Sequence, residues 1–582
     1  MNCWFTNHSL TGGPVGVSSP FCASFKVQTR HHERKKGAKR QELQVQKRWP
    51  LRQSAQTPSH ETEIASCPPM MLQFRQLFHT LQQHKLASWR LLVLAAALVL
   101  GGLITFTYSS ISVLGNNRVP TNVPEPSLSK IGSNNNAKTD DTKPDAESSD
   151  SNACFTDLDL LRLHAENAST VEYARLNIVV SRTENFTAFT DSLDVSIPSY
   201  RTVHLDIDAS RETQPEKDCA TSVTIEAPLI PSPPDASHMI FGVATSLEGL
   251  EDSLDAFAHW AGNTSAHIVA VVEQGGSSTR SRIQDRADTL GIRLTITQTE
   301  DEQLDRYFSL IHVLYQHRDD STQWAVLIDD DTFFPSMTNL VSRLASAYDP
   351  SIPQYIGAMT EDLSHISSTG YMAYGGAGIF LSLPLLSDLQ HVFETCHAFK
   401  ERGDRMLASC IYAHTTTKFT WERGLYQLNI RGDASGFFES GRALPLSVHH
   451  WSSWFQADMV ALSRVASICG EECLLRRFHL SKDWFLVNGY SVIQDATLWN
   501  DPRPMEQTWE KSKNKGPVSD PFAYSLGPLR RVDADKVSMR LRAVVVDEVE
   551  RVRQVYVLNG TDETPPRVLE VVWSILDVDV DE

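Results

Sequence analysis

Trp324-Ala-Val-Leu-Ile-Asp-Asp-Asp-Thr-Phe-Phe334 reads as an apolar strand that ends in three consecutive carboxylates. Adjacent acids repel one another, and unpaired charge at the end of a buried strand is costly. A hard divalent cation resolves both problems, held by one or two carboxylates while a substrate's phosphates complete its shell. The carboxyl end of a strand is also where open α/β sheets bind ligands. The stretch therefore predicts a metal-dependent site for a phosphorylated or nucleotide-linked substrate. The tripeptide alone is weak evidence. Asp-x-Asp recurs at Asp157/Asp159, Asp206/Asp208, Asp533/Asp535 and Asp577/Asp579/Asp581, where it reads as solvated surface or tail acid. The apolar strand before this copy, and Phe333 and Phe334 after it, set it apart.

Around this strand the chain alternates between period-2 and helical apolar patterns. Strands are predicted at 239–244, 267–273, 294–297, 325–329 and 355–359, and helices at 248–260, 282–290, 303–316 and 337–348. Repeated β-α units of this kind imply an α/β fold with a mostly parallel sheet flanked by helices. Residues 154–235 are β-rich and less regular, and the chain beyond about 457 is mixed, with valine-rich runs at 542–546 and 568–573. The organisation expected is an N-terminal subregion at 154–235, a core at 236–456 and an accessory β-rich region at 457–582.

Charge and hydropathy divide the first quarter of the chain. Residues 1–90 hold 13 Lys+Arg against 4 Asp+Glu, a balance of +9, which leaves −27 on the remainder of a chain of net charge −18. An acidic body argues against a nucleic-acid partner. No charged residue occurs between Leu91 and Asn117. The apolar run at 91–112 is long enough to span a bilayer as one helix. Lys85 and Arg90 on its N-terminal side predict a signal anchor with a cytoplasmic N-terminus and the rest of the chain in the lumen. Residues 1–69 of the basic tail, which stop just before Met70 and Met71, are either a disordered extension or an artefact of the gene model. Residues 113–153 are rich in Asn, Ser, Asp, Lys and Pro and read as a flexible stem.

Four sequons beyond the anchor, at Asn167, Asn185, Asn263 and Asn559, agree with a secretory compartment. So does an even set of six cysteines past the anchor. Cys396–Cys410 and Cys469–Cys473 are expected as local clips, leaving Cys154–Cys219.

Three motifs follow the acids. Tyr374-Gly-Gly-Ala-Gly378 lets backbone approach a ligand closely, and it lacks the Gly-Lys-[Ser/Thr] of a P-loop. Gly403-Asp404 opens a helix. Asp404 reads either as a cap or as a general base, with Asp433 and Glu439 as rival carboxylates. Ser447-Val-His-His-Trp451 offers metal ligands. Adjacent histidines on an extended segment point to opposite faces, so only one of His449 and His450 is expected to reach a metal.

In this order the motifs resemble the fringe-like branch of glycosyltransferase family 31, in the form common among filamentous fungi. The resemblance runs from about Met239 to Trp454 and includes Tyr355-Ile-Gly-Ala-Met-Thr-Glu361 and residues 432–440. The stalked single-pass anchor is also what that family has. The resemblance implies a GT-A-type, nucleotide-sugar-binding Rossmann-like sheet and a UDP-sugar donor. It also implies Mn²⁺, inversion at the anomeric carbon, a β1,3 linkage to a glycan or glycoprotein acceptor, and a Golgi membrane location. Asp329 and Asp331 would then serve the metal and diphosphate, with Asp330 beside them and His449 the second protein ligand, His450 its rival. Asp404 would be the base. Gly375, Gly376, Ala377 and Gly378 would border donor and acceptor, Thr245 and Ser246 would touch the nucleotide, and Trp451 and Trp454 would meet the acceptor. Two other classes compete. A metal-dependent phosphatase of the haloacid-dehalogenase type wants Thr or Val two residues after the second acid, where Phe333 stands. A non-catalytic sugar-binding protein on a transferase scaffold is the other.

Overall fold

The computed structural model describes residues 153–576, apart from 166–167, 207–208, 216–220, 400, 402, 500–504, 510–519, 521 and 549–550. The predicted tail, membrane span and most of the stem lie outside these residues, as do Asn167 and Cys219, the expected partner of Cys154. Among the described residues no helix is long and apolar enough to cross a membrane.

The fold is α/β. Its centre is a seven-stranded sheet made of β1 (Met239–Ala244), β2 (His267–Glu273), β3 (Arg293–Thr299), β4 (Trp324–Ile328), β5 (Tyr355–Ala358), β6 (Tyr374–Ser382) and β7 (Phe419–Trp421), in the order β7-β5-β6-β4-β1-β2-β3. Six strands run parallel, and β6 alone is reversed, pairing antiparallel with both β4 and β5. The helices are α1 (Leu247–Ala261), α2 (Ser277–Thr289), α3 (Gln303–His317), α4 (Met337–Ala347), α5 (Leu383–Gln390) and α6 (Gly403–His414).

β1, β2 and β4 are almost wholly apolar because both faces of the sheet are covered there. Met239, Phe241 and Val243 of β1 enter one core with Leu250, Leu254, Phe257 and Trp260 of α1, while Ile240 enters the opposite core with Phe308, Ile311 and Leu314 of α3. Trp324, Val326 and Ile328 against Ala325 and Leu327 repeat that alternation in β4. The apolar spacing of three and four on α1 places one stripe on the sheet. Ser246 starts that helix by accepting from Gly249 N–H at 3.0 Å, and Ser336 caps α4 through Asn339 N–H at 3.1 Å. Gly242 lies where a Cβ would stand 3.0 Å from Leu314, so its absence lets α3 close on β1.

The segments flanking the core join in one second sheet. Strand Thr170–Thr183 pairs in parallel with Arg567–Ile575 over nine residue pairs, so an N-terminal strand and the last described strand lie side by side. Residues 154–235 and 457–582, separate in the sequence reading, thus share one sheet. Its apolar face, with Leu176, Ile178, Val180 and Trp573, continues the core under α1 and α4. Arg175 and Glu570, both buried, bridge the parallel pair at 2.8 Å. Disulfides join Cys396 to Cys410 and Cys469 to Cys473. Asn185, Asn263 and Asn559 are all exposed.

Asp495 is fully buried in this second layer and pairs with Arg530. Burial works against its charge, but the Thr497 hydroxyl and the Arg530 guanidinium outweigh it and hold the carboxyl below its ordinary value. A depressed folded pKa contributes stability above the unfolded pKa of about 3.9 and loses it as pH falls through the folded value. Asp495→Asn is therefore expected to lower stability at pH 7, with the deficit shrinking below pH 4. Denaturant titrations at pH 7 and pH 3 check this, and an equal deficit at both refutes it.

Candidate active site

The acids leave β4 at its carboxyl end and turn at once. Thr332 N–H donates to the Asp329 carbonyl (3.1 Å) and Asp329 N–H donates to Thr332 Oγ1 (3.0 Å). Phe333 then pairs with Val448, each N–H donating to the other's carbonyl at 2.9 Å. That antiparallel bridge sets the next residue, His449, beside the acids. Its Nε2 lies 2.8 Å from Asp331 Oδ1 and 3.3 Å from Asp329 Oδ2. The Gln427 side chain reaches its Nδ1 at 3.0 Å, and the same side chain's Oε1 accepts from Ala377 N–H at 2.9 Å.

His449 and His450 do not point to opposite faces. His450 has φ +56°, a left-handed conformation that breaks the extended geometry, and the two rings lie side by side with centroids 3.7 Å apart. His450 Nδ1 is 3.8 Å from Asp331 Oδ2, and Ser453 Oγ donates to that oxygen at 2.7 Å. Asp331, His449 and His450 each offer one ligand atom, all within 4.8 Å of one another. A carboxylate and two imidazoles, the inner one oriented through its far nitrogen, suit a first-row divalent metal.

Charge follows this geometry. Burial opposes an imidazolium at His449, yet hydrogen bonds and charge from Asp329 and Asp331 prevail and lift its pKa to about 10. Burial would likewise raise Asp331, but the two histidines and Ser453 hold it far below the carboxylate range. His450 moves down, chiefly through burial.

Asp330 faces elsewhere. Thr245 Oγ1 donates to its carboxylate and Ser253 Oγ donates to its carbonyl at 2.9 Å, which ties it to α1. Burial, with Asp329 and Asp331 adding to it, raises its pKa. Thr245 and Asp330 thus satisfy each other, and Ser246 serves as the α1 cap.

The glycine run is a bulge in β6. Gly357 pairs with Ile379 while the next residue, Ala358, pairs with Tyr374, so Gly375-Gly376-Ala377-Gly378 leaves the ladder beyond the end of β4. A Cβ on Gly376 would stand 2.1–2.3 Å from three His449 ring atoms. A Cβ on Gly375 would stand 2.4 Å from the Tyr307 hydroxyl, and one on Gly403 would stand 2.6 Å from the same ring. Thr332 Oγ1 donates to the Gly376 carbonyl at 2.8 Å and Ser447 Oγ to the Ala377 carbonyl at 2.6 Å, which fixes the bulge.

Asp404 stands at the opening of α6, accepting from Arg405 N–H at 2.7 Å and from Gly375 N–H at 3.4 Å. It therefore borders the bulge one residue from the glycine that His449 covers. The rival acids are committed to the second sheet: Glu439 is buried against Lys536 (3.0 Å), and Asp433 caps Ser435 and reaches Arg540 (3.5 Å). Tyr307 brings a buried hydroxyl with no hydrogen-bond partner among the described residues. Burial, then the charges of Asp329 and Asp404, push its pKa well up.

The two tryptophans differ. Trp454 is 47% exposed and stacks on His450 at 3.6 Å. Trp451 is half-buried, packs edge-on against Phe333 (5.8 Å) and has a buried indole nitrogen. Gln427, Ser453, Thr332 and Tyr307 escaped the sequence reading as site residues. Only Thr332, adjacent to the acids, carried a signal that could have found it.

A family model described as "Protein of unknown function, DUF604" matches residues 365–462. That stretch contains the bulge, Asp404 and both histidines but not the acids. No curated protein matches the chain. Among solved structures, the galactosyltransferase LgtC with donor and acceptor sugar analogues is similar at 8% identity over 34% of this chain and 77% of its own, TM-score 0.24. The glycosyltransferase GlyE of Streptococcus pneumoniae TIGR4 is similar at 14% identity over 38% of this chain and 57% of its own, TM-score 0.25. 4-Diphosphocytidyl-2C-methyl-D-erythritol synthase of Anaerococcus prevotii DSM 20548 is similar at 9% identity over 32% of this chain and 87% of its own, TM-score 0.22. Scores at this level do not bear on function.

Gly376→Ala must move the His449 ring away from Asp331. If the cluster holds a divalent cation, affinity for Mn²⁺ used as a probe, read by electron paramagnetic resonance, is expected to fall about 10-fold or more. Unchanged affinity would show that His449 is not held by this contact.

Proposed function

We propose that this protein is a Mn²⁺-dependent glycosyltransferase. It moves a hexose or N-acetylhexosamine from a UDP-sugar to a glycan or glycoprotein acceptor with inversion, forming a β1,3 linkage. The observation that carries this reading is one arrangement: Asp331, His449 and His450 converge at the end of the central strand, and Asp404 lies across the glycine bulge from them. On this reading the central sheet is a GT-A-type scaffold of the fringe-like kind.

Asp331, His449 and His450 would hold the cation, with Asp329 beside them. When bound, Mn²⁺ offsets the charge that develops on the departing diphosphate. His449 would have to be neutral to hold a metal, and the Gln427 side chain at its Nδ1 would keep the ring in place. Asp404, fixed by two backbone amides, accepts the proton of the acceptor hydroxyl. The acceptor oxygen forms its bond to the anomeric carbon from the face opposite the leaving UDP, and the bond to the diphosphate oxygen breaks. The bare backbone of the bulge leaves room for the His449 ring over Gly376 and for Tyr307 over Gly375, which keeps both side chains in place at the site.

The compartment proposed is the Golgi membrane, with the span at 91–112 as a single anchor and the described residues in the lumen. The exposed sequons and the two disulfides favour an oxidising compartment.

Two variants test the assignment. Asp331→Asn is expected to abolish Mn²⁺-dependent turnover in a UDP-sugar screen while the melting temperature moves by only a few degrees. Asp404→Asn is expected to keep Mn²⁺ and UDP binding and to lose about 10²–10⁴-fold in transfer rate. Full activity in either variant overturns the role given to that residue.

A further inference from the structure

A cavity of about 140 Å³ lies at the carboxyl ends of β5 and β7, at the same end of the sheet as the acids. Met359, Trp421, Tyr426 and Leu526 give it apolar and aromatic walls, and Glu361 and Arg442 are its inner charged groups. Glu361 is 2% exposed, and its carboxylate accepts from Asn429 N–H at 2.9 Å. The Arg442 guanidinium lies over the rings of Phe437 (4.1 Å) and Tyr426 (4.7 Å), and its Nε donates to Ser440 Oγ at 3.2 Å. Its Nη1 is buried and has no hydrogen-bond partner among the described residues. An unmet donor on a desolvated guanidinium costs free energy that a ligand acceptor would restore.

The cavity adjoins the site through one strand, Leu425–Tyr426, which pairs with Ser447–Val448 just before His449. Tyr426 lines the cavity, while the next residue, Gln427, holds His449. The cavity is therefore joined to the candidate metal site by a single residue step, from Tyr426 to Gln427.

We propose that this cavity binds the acceptor as one neutral hexopyranose unit, with Arg442 donating to a ring hydroxyl, Glu361 accepting from one, and Trp421 or Tyr426 covering the apolar face of the ring. A sugar hydroxyl both donates and accepts, which matches a cavity presenting one donor and one acceptor. A uronate or phosphate would meet repulsion from Glu361 at the inner wall, although Arg423 lies at the exposed rim. This assignment rests on the transferase reading above.

The test uses the full chain with Mn²⁺, a panel of UDP-sugars, and methyl hexosides as acceptor probes. Arg442→Met removes the donors and keeps an apolar stem, while Leu526→Trp fills the cavity from a partly exposed wall. Both variants are expected to raise the KM for the methyl hexoside at least ten-fold, leave acceptor-free hydrolysis of the UDP-sugar unchanged, and remove saturation-transfer NMR signal from the glycoside. Should Arg442→Met fail to fold, Leu526→Trp decides alone. Unchanged acceptor KM in the variants, or a wild-type preference for methyl glucuronides or hexose phosphates over neutral hexosides, overturns the assignment. Arg442-dependent binding of the hexoside by a wild-type protein that turns over no UDP-sugar keeps the cavity assignment and sinks the transferase reading instead.

Discussion

The contact of His449 with Asp329 and Asp331 is the constraint on which the rest of the site depends. Three carboxylates in succession cannot stay ionised at the end of a buried strand without compensation. The structure resolves this by splitting them. Asp330 is turned to Thr245 and α1, and Asp329 and Asp331 share one imidazole at 3.3 and 2.8 Å. The histidine comes from more than a hundred residues downstream, delivered by the paired hydrogen bonds between Phe333 and Val448. Hydrogen bonds and charge from the two acids favour the proton on His449, which meets that demand at the strand end.

The glycine bulge follows from that contact. Because His449 occupies the space where a Gly376 side chain would begin, and Tyr307 occupies the corresponding space at Gly375 and Gly403, the reversed strand passes between the acids and α6 as bare backbone. The side chains that matter stand on either side of it, His449 with Asp331 on one and Asp404 on the other. Strand reversal at β6 gives this arrangement its geometry, since the strand enters the sheet from the site end and its bulge overhangs the end of β4. The second sheet acts from behind, engaging Glu439 and Asp433 through Lys536 and Arg540 so that neither acid faces the site.

Much of the central sheet was legible in the sequence because its strands and helices carry unbroken apolar periodicity. The residues at 239–244 and 267–273 have the bounds the pattern predicts, and the helix at 303–316 runs one residue further, to His317. Boundaries moved where amphipathicity is weak, as in α2, which begins at Ser277 rather than 282. The site was legible as a set of motifs but not as contacts. Extended-strand reasoning sent His449 and His450 to opposite faces, and it failed because a single left-handed residue, His450, rotates the second ring back. Trp451 looked like a ligand platform by its place beside the histidines. Its packing on Phe333 is a tertiary contact that no local pattern encodes.

By itself the sequence determined the alternation of strand and helix, the position of the acid cluster at a strand end, and the two local disulfides. Each follows from interactions between residues close in the chain or from a steric rule that applies to one residue at a time. Tertiary structure alone decided which acid faces which partner, that Gln427 orients His449, that Asp433 and Glu439 pair with Arg540 and Lys536, and that Thr170–Thr183 and Arg567–Ile575 pair in one layer. Those outcomes depend on hydrogen bonds and charge pairs between residues tens to hundreds of positions apart, whose energies exist only once the chain has brought them together.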